Sequence, residues 1–552
     1  MRSSSLILAV LMALVGSFLL AGCATKTQRE LELERYQVLQ MGEQKRESLP
    51  VEVIATVDAY NNGKFHEAAI GFSDILANEK YRALHQTARY YLTECLDRLG
   101  LYQAAMFELA QILFLGPDQN LYFTASLTKL LGLTKITKDE SIIFNVLQTI
   151  PIDRFPPKFK NELVYMRGKR LFYDGDYMGA LQEFAQVDPA SAFHAKSLYF
   201  VGIIQVIRKD YANAKRTFDN IYALPDTFSD FGEASKVKEL SKLALGQLFY
   251  KAGYEARRDR YAILAKSVEY YDSVDREDEQ WFEALFEKTW TTALLDKYNT
   301  ALGTVLTLNS PFFAQEFVPE VNLIEAITWY RLCKWQDVRT TIRNFKDGYE
   351  PLNQAILTFL QKNLKTPGEV VYDDLLNQYE MVIKGGQAHL PLKVLTAILN
   401  NDNKFLEIYL AVEELELELG LLNGAPPAFL ESPYIKRFQA QSGKKLENLK
   451  KKAGNRALQN LDGIGKTLKS LLGNATAIDF ELTDAERKHF EKIELFGITE
   501  EEYRQEKVRT ESENFTMAVG DDELFWPFQG EYWKDELGYY YYSVTDECVA
   551  EE

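Results

Sequence analysis

Residues 168–187 read GKRLFYDGDYMGALQEFAQV, and residues 202–221 read GIIQVIRKDYANAKRTFDNI. At an offset of 34 residues the two lines align without a gap, setting Gly168 over Gly202, Tyr177 over Tyr211, Ala180 over Ala214, Phe184 over Phe218 and Val187 over Ile221. A small residue in one helix lets a neighbour approach closely. An aromatic, a small residue and a second aromatic at helical spacing form the stripe that approaches it. The pattern predicts antiparallel helix pairs, each burying its apolar face against the next, and therefore an all-α chain.

A 34-residue period with these residue types resembles the tetratricopeptide (TPR) repeat. The resemblance implies a right-handed helical solenoid whose first helices line a concave groove. Its register extends in both directions. Tyr60, Gly63, Phe65, Ala68, Phe72 and Ile75 open the array, followed by Gly100, Tyr102, Ala105, Leu109 and Ile112. Gln119 to Ile150 keeps two apolar helical patterns without the signature residues, a degenerate unit. Gly246 pairs with Ser267, Tyr271 and Val274 across an insertion near Tyr254 to Arg260. Leu285, Trp290, Tyr298, Ala301 and Leu308 continue it, and Trp335, Val338, Ile342 and Phe345 close it. About eight helix pairs over residues 49–350 are expected from this register.

Carried over by resemblance, the fifth, ninth and twelfth positions of the first helices face a ligand. Here they are Tyr90, Glu94 and Asp97; Tyr165, Lys169 and Phe172; and Tyr199, Ile203 and Val206. The three tyrosines either form a ladder that grips an extended peptide or fill the gap between adjacent repeats.

Pro367-Gly368 marks a break, and residues 351–480 form a separate helical region. Phe405 to Leu422 is acidic through Glu407, Glu413, Glu414, Glu416 and Glu418. Pro433 to Leu472 carries an apolar seam from Leu446 to Leu471 and a basic face that includes Lys444, Lys445 and Arg456. Complementary charge predicts a long antiparallel helical hairpin. The acidic and aromatic tail, 481–552, holds two β-prone runs punctuated by Gly530 and Gly538. It reads as a hairpin or a docked extended segment, with Trp526, Trp533 and Tyr539 as possible docking contacts on the chain's own helices or on a partner.

The N-terminus has a different character. Arg2 precedes the apolar run Leu6 to Leu20, which is too short to span a bilayer comfortably and ends in Leu20-Ala21-Gly22-Cys23. Residues 1–22 resemble a bacterial lipoprotein signal peptide. That resemblance implies cleavage before Cys23, lipidation there (palmitate included), and, with Ala24 next, an address at the periplasmic side of the outer membrane. Residues 23–48 read as a polar tether.

A net charge of −17 argues against nucleic acid as a partner. No metal-ligand spacing, nucleophile elbow or complete phosphate loop is present, so no cofactor and no catalytic residue is expected. Cys95 and Cys333 fall in helical patterns as small buried residues, while Cys548 is free or paired. The expected function is a non-enzymatic scaffold for other envelope proteins or extended peptides, in an envelope assembly, secretion or motility complex. The alternative is a cell-envelope enzyme, or a peptide- or glycan-binding protein, with accessory repeats.

Overall fold

The computed structural model describes residues 50–224, 233–400, 402–496 and 530–548. The signal and tether segments, Cys23 and Trp526 lie outside the described residues. Among those described, the chain is all-helical, with 21 α-helices packed as neighbouring pairs. The first sixteen follow one another as eight pairs: α1 (Val51–Asn61) and α2 (Phe65–Ala77), α3 (His85–Arg98) and α4 (Tyr102–Leu113), α5 (Phe123–Thr137) and α6 (Ser141–Thr149), α7 (Lys160–Tyr173) and α8 (Tyr177–Phe184). Then come α9 (His194–Ile207) and α10 (Tyr211–Tyr222), α11 (Glu233–Glu255) and α12 (Arg260–Asp272), α13 (Trp281–Leu294) and α14 (Tyr298–Leu308), α15 (Glu320–Arg331) and α16 (Trp335–Lys362). After these lie α17 (Gly368–Ile383), α18 (Leu392–Asn400), α19 (Asn403–Leu421), α20 (Pro427–Glu431) and α21 (Pro433–Phe496). None is long and apolar enough to cross a membrane.

The turn inside each of the eight pairs contains one left-handed residue: Gly63, Gly100, Lys138, Gly175, Lys209, Asp259, Asp296 and Cys333. Three are glycine, which takes that conformation without strain; at the other five a side chain is held there at a cost of about 1–2 kcal/mol each. In six of these turns the next residue's N–H reaches back to a carbonyl five positions earlier: Lys64 to Ala59, Leu101 to Leu96, Asp176 to Leu171, Asp210 to Gln205, Lys297 to Thr292 and Lys334 to Trp329. The distances are 2.8–3.0 Å. This six-to-one bond closes a helix end and reverses the chain. The left-handed residues stand 37, 38, 37, 34, 50, 37 and 37 apart. The dominant spacing is thus 37, and the two segments that align at 34 are the shortest step in the series.

The chain divides into two compact units. One comprises Met1–Ile204, Ala223–Val237 and Leu410–Leu446; the other comprises Gln205–Tyr222, Lys238–Tyr409 and Glu447–Glu552. The first unit's core runs from Val53 to Val187 and is completed by Leu422, Phe429, Ile435 and Phe438. In the second unit, Leu471, Ala475 and Leu482 of α21 join Leu302, Leu323, Trp329, Ile342 and Phe345. Burying each such side chain contributes roughly 1.5–3 kcal/mol. The apolar seam expected to end at Leu471 therefore extends to Leu482, and the helix carrying it to Phe496.

Gly168 and Gly246 show why small residues recur in the first helices. A Cβ on Gly168 would lie 2.7 Å from the Phe184 ring, and one on Gly246 would lie 2.3 Å from the Tyr271 ring. The same close approach between a first helix and the aromatic of its second thus occurs in both units.

Two expectations are corrected. Residues 530–548 form turns and extended chain with no strand, because their backbone groups pair with side chains and helix-end carbonyls instead of with a second strand. Cys333 is no inert buried residue: it is joined to Cys548 in a disulfide. Cys95 is a buried free thiol whose pKa burial pushes up to about 12.

Candidate functional site

The first helices of the first unit place the expected groove residues among internal partners. Tyr90 stacks on Tyr122 with ring centres 4.5 Å apart. Glu94 and Asp97 both hold Lys129, at 2.8 and 2.7 Å. Lys169 pairs with Glu140 at 3.0 Å. Tyr165 lies among Phe184, Phe193 and Phe200, and Phe172 packs 4.9 Å from Phe200. Tyr199 and Ile203 are half-buried, as is Val206 in the second unit. Charged residues at these positions thus tie α3 to α5 and α7 to the turn before α6.

The second unit carries carboxylates with no such partners. Glu283, Glu287 and Trp290 fall on one side of α13 at helical spacing, and Glu316, Glu320, Leu323 and Ile327 repeat that spacing through the turn before α15 and along the helix itself. Among the described residues no cation pairs with any of these four acids. Burial raises the Glu283 carboxyl, with Glu316 adding repulsion. Burial, then Glu283, pushes Glu287 up to about 7, and Gln247 donates to it only across a long 3.5 Å contact. Where the stripes turn apolar, a cavity of about 310 Å³ opens, lined by Trp290, Glu320, Leu323, Ile327, Ile478 and Glu481. That is the small end of ligand-binding cavities. Sequence reasoning missed this site, although a signal was present: Glu-x3-Glu-x2-apolar occurs at 283–290 and again 33 residues later at 316–323.

The described part of the tail is strapped to the same unit. The Arg276 guanidinium donates to the carbonyls of Lys534, Asp535 and Leu537 at 2.8–3.0 Å, and lies 5.1 Å from the centre of the Tyr539 ring. Asn299 donates to the Val544 carbonyl and its own amide oxygen accepts from the Val544 N–H. Tyr542 N–H donates to the Asn299 carbonyl and Glu547 N–H to that of Leu332, while the Glu547 carboxylate pairs with Lys334. Leu537 is buried, whereas Trp533 and Tyr539 stay exposed. Asp546 sits near the Cys333–Cys548 pair, whose sulfurs are already bonded to each other.

A third polar feature belongs to the first unit. Glu418, only 3% exposed, accepts from the Gln103 and Ala104 N–H groups at 2.8 and 3.2 Å. It caps α4, whose own N-terminal residue Leu101 supplies no side-chain acceptor. Glu418→Ala would leave two buried donors unpaired and is expected to cost about 3 kcal/mol in denaturant unfolding, whereas Glu418→Gln keeps an acceptor and costs far less.

Burial nonetheless pushes the Glu418 carboxyl up to about 7. A carboxyl raised by folding contributes stability in full below its unfolded pKa and loses it as pH rises through the folded value. Glu418 and Glu287 share that sign. Asp139, held below the usual carboxylate range by Lys445, acts oppositely and only in acid. Melting temperature is therefore expected to fall between about pH 5 and 8, with the slope reduced in Glu418→Gln.

Compared with known proteins, the sequence matches no family model and no curated relative.

Proposed function

We propose that this chain is a non-enzymatic, lipid-anchored scaffold of the bacterial envelope. In this reading a TPR-like helical solenoid faces the periplasm from the outer membrane and holds other envelope proteins. The observation that carries it is the recurrence of one device: eight helix pairs, each turning through a left-handed residue, six through the same six-to-one bond. Arrays of this kind expose long surfaces in proportion to their cores, which suits partner binding more than catalysis. The Cys333–Cys548 disulfide supports an oxidising compartment, because cytosolic thiols are kept reduced. The Leu20-Ala21-Gly22-Cys23 sequence supports lipidation at Cys23. Two acyl chains or more anchor stably, at roughly 0.8 kcal/mol per buried methylene.

Anchoring is tested by growing cells on labelled palmitate. The wild-type chain is expected to carry label and to sediment with outer membranes, and Cys23→Ser to lose both. An unlabelled wild-type chain would reject the lipid anchor.

A further inference from the structure

The cavity and carboxylates of the second unit have properties that scaffolding in general does not require. Two stripes run side by side in composition, Glu283–Glu287–Trp290 on α13 and Glu316–Glu320–Leu323–Ile327 leading into and along α15. Each begins acidic and ends apolar, and the apolar ends meet at the 310 Å³ cavity, where α21 contributes Ile478 and Glu481. Several half-buried acids elsewhere are neutralised internally: Lys129 serves Glu94 and Asp97, and Lys445 serves Asp139. Glu283, Glu287, Glu316 and Glu320 receive no such cation among the described residues. Glu283 and Glu287, both half-buried, repel each other, with the exposed Glu316 adding to Glu283, and cost stability that an amide side chain would not.

We propose that this surface receives a basic–apolar stretch of a partner polypeptide, one bulky side chain entering the cavity while neighbouring arginines or lysines meet Glu283, Glu287 and Glu320. The dimensions favour a polypeptide over a small cation. From Glu320 to Ile327 the stripe covers about 10 Å of helix rise, the reach of about three extended residues, with Glu316 lying ahead of the helix. The cavity, at about 310 Å³, has room for one bulky side chain. Charge selects the partner: a cation at Glu287 replaces the repulsion from Glu283 with attraction, while Tyr250 and the buried Tyr271, the other titratable groups near Glu287, are kept un-ionised by burial. Binding then favours the ionised form of Glu287, so affinity is greater at pH 8 than at pH 6, by up to about tenfold.

The inference takes the scaffold reading as its premise and names the chemistry of the partner. Its test makes no use of the membrane address, so a chain that proved unlipidated would reject the anchor and leave this result standing.

The experiment uses the full chain purified in mild detergent and labelled peptides of about eight residues, each carrying one Trp or Leu flanked by two to four arginines. Dissociation constants of about 1–100 μM are expected, weakened at least about tenfold when the arginines become glutamate or the Trp becomes serine. Ala477→Trp, at an exposed cavity-side position of α21, is expected to abolish binding at unchanged melting temperature. Glu283→Gln with Glu287→Gln is expected to weaken binding and flatten its salt dependence. Equal affinity for the arginine and glutamate peptides, or full binding by Ala477→Trp, would overturn the proposal. So would binding that emerges only when residues 497–529 are deleted, which would assign the cavity to this chain's own segment.

Discussion

Cys548→Ser is expected to release the C-terminal strap and to destabilise the second unit by about 2–5 kcal/mol. The Cys333–Cys548 bond closes a loop of 215 residues, so its loss frees a large denatured-state entropy as well as the local contacts. Without it, the strap depends on the Arg276 bonds, the Asn299 pair and the Lys334–Glu547 ion pair, most of them part-exposed and individually worth about 1 kcal/mol or less. Limited proteolysis is then expected to cut within residues 530–548 faster than in the oxidised wild type.

Gly303→Ala offers an independent route to the same state. A Cβ there would stand 1.8 Å from the Tyr540 carbonyl oxygen, so strap and side chain cannot both be accommodated. If both variants act by unseating the strap, the double variant should lose much less than the sum of the two losses. Full additivity would show that the strap is not the shared element.

The second large effect is expected at Gly454. In α21 its absent Cβ leaves room for the Gly368 carbonyl of α17: an added methyl would lie 1.8 Å from that oxygen and 3.0 Å from the Tyr372 nitrogen. Both neighbours are backbone, so no rotamer change relieves the clash, and one helix must move. Gly454→Ala is expected to cost about 3 kcal/mol, the upper end of overpacking penalties. Gly463, nine residues further along the same helix, has nothing within 4 Å of its would-be Cβ. There the alanine substitution only adds helix propensity, and Gly463→Ala is expected to stabilise by about 0.5–1 kcal/mol. Opposite signs in denaturant melts would establish that α17 and α21 touch backbone to backbone, while matching signs would refute it.

Helix pairing was legible because apolar periodicity and the Gly–aromatic match are local properties of the chain. The period was less so: the segments that align best, at Gly168 and Gly202, mark the shortest step, while turns such as those at Lys138 and Asp296 carry the 37–38-residue spacing without a glycine to reveal it. Pairing of Cys333 with a residue 215 positions away follows from tertiary placement, which residue spacing does not encode. The tail's residues suggested either a strand hairpin or a docked extended segment; the described part forms no strand, turns at Gly530 and Gly538, and is held by the Arg276 fork. At the expected groove positions the sequence displays the residue types and hides their partners. Nothing local to Glu94 reveals that Lys129 will reach it, or that Glu283 will have no counterpart.

The central claim is that the helix pairs hold other envelope proteins. Crosslinking in living cells, followed by affinity purification of the full chain from detergent-solubilised membranes, tests it most directly. The account predicts a discrete covalent adduct with at least one other envelope protein, recovered in near-stoichiometric amount and absent from an unrelated lipoprotein control. Recovery of the chain alone at every crosslinker length, with no adduct, would contradict it.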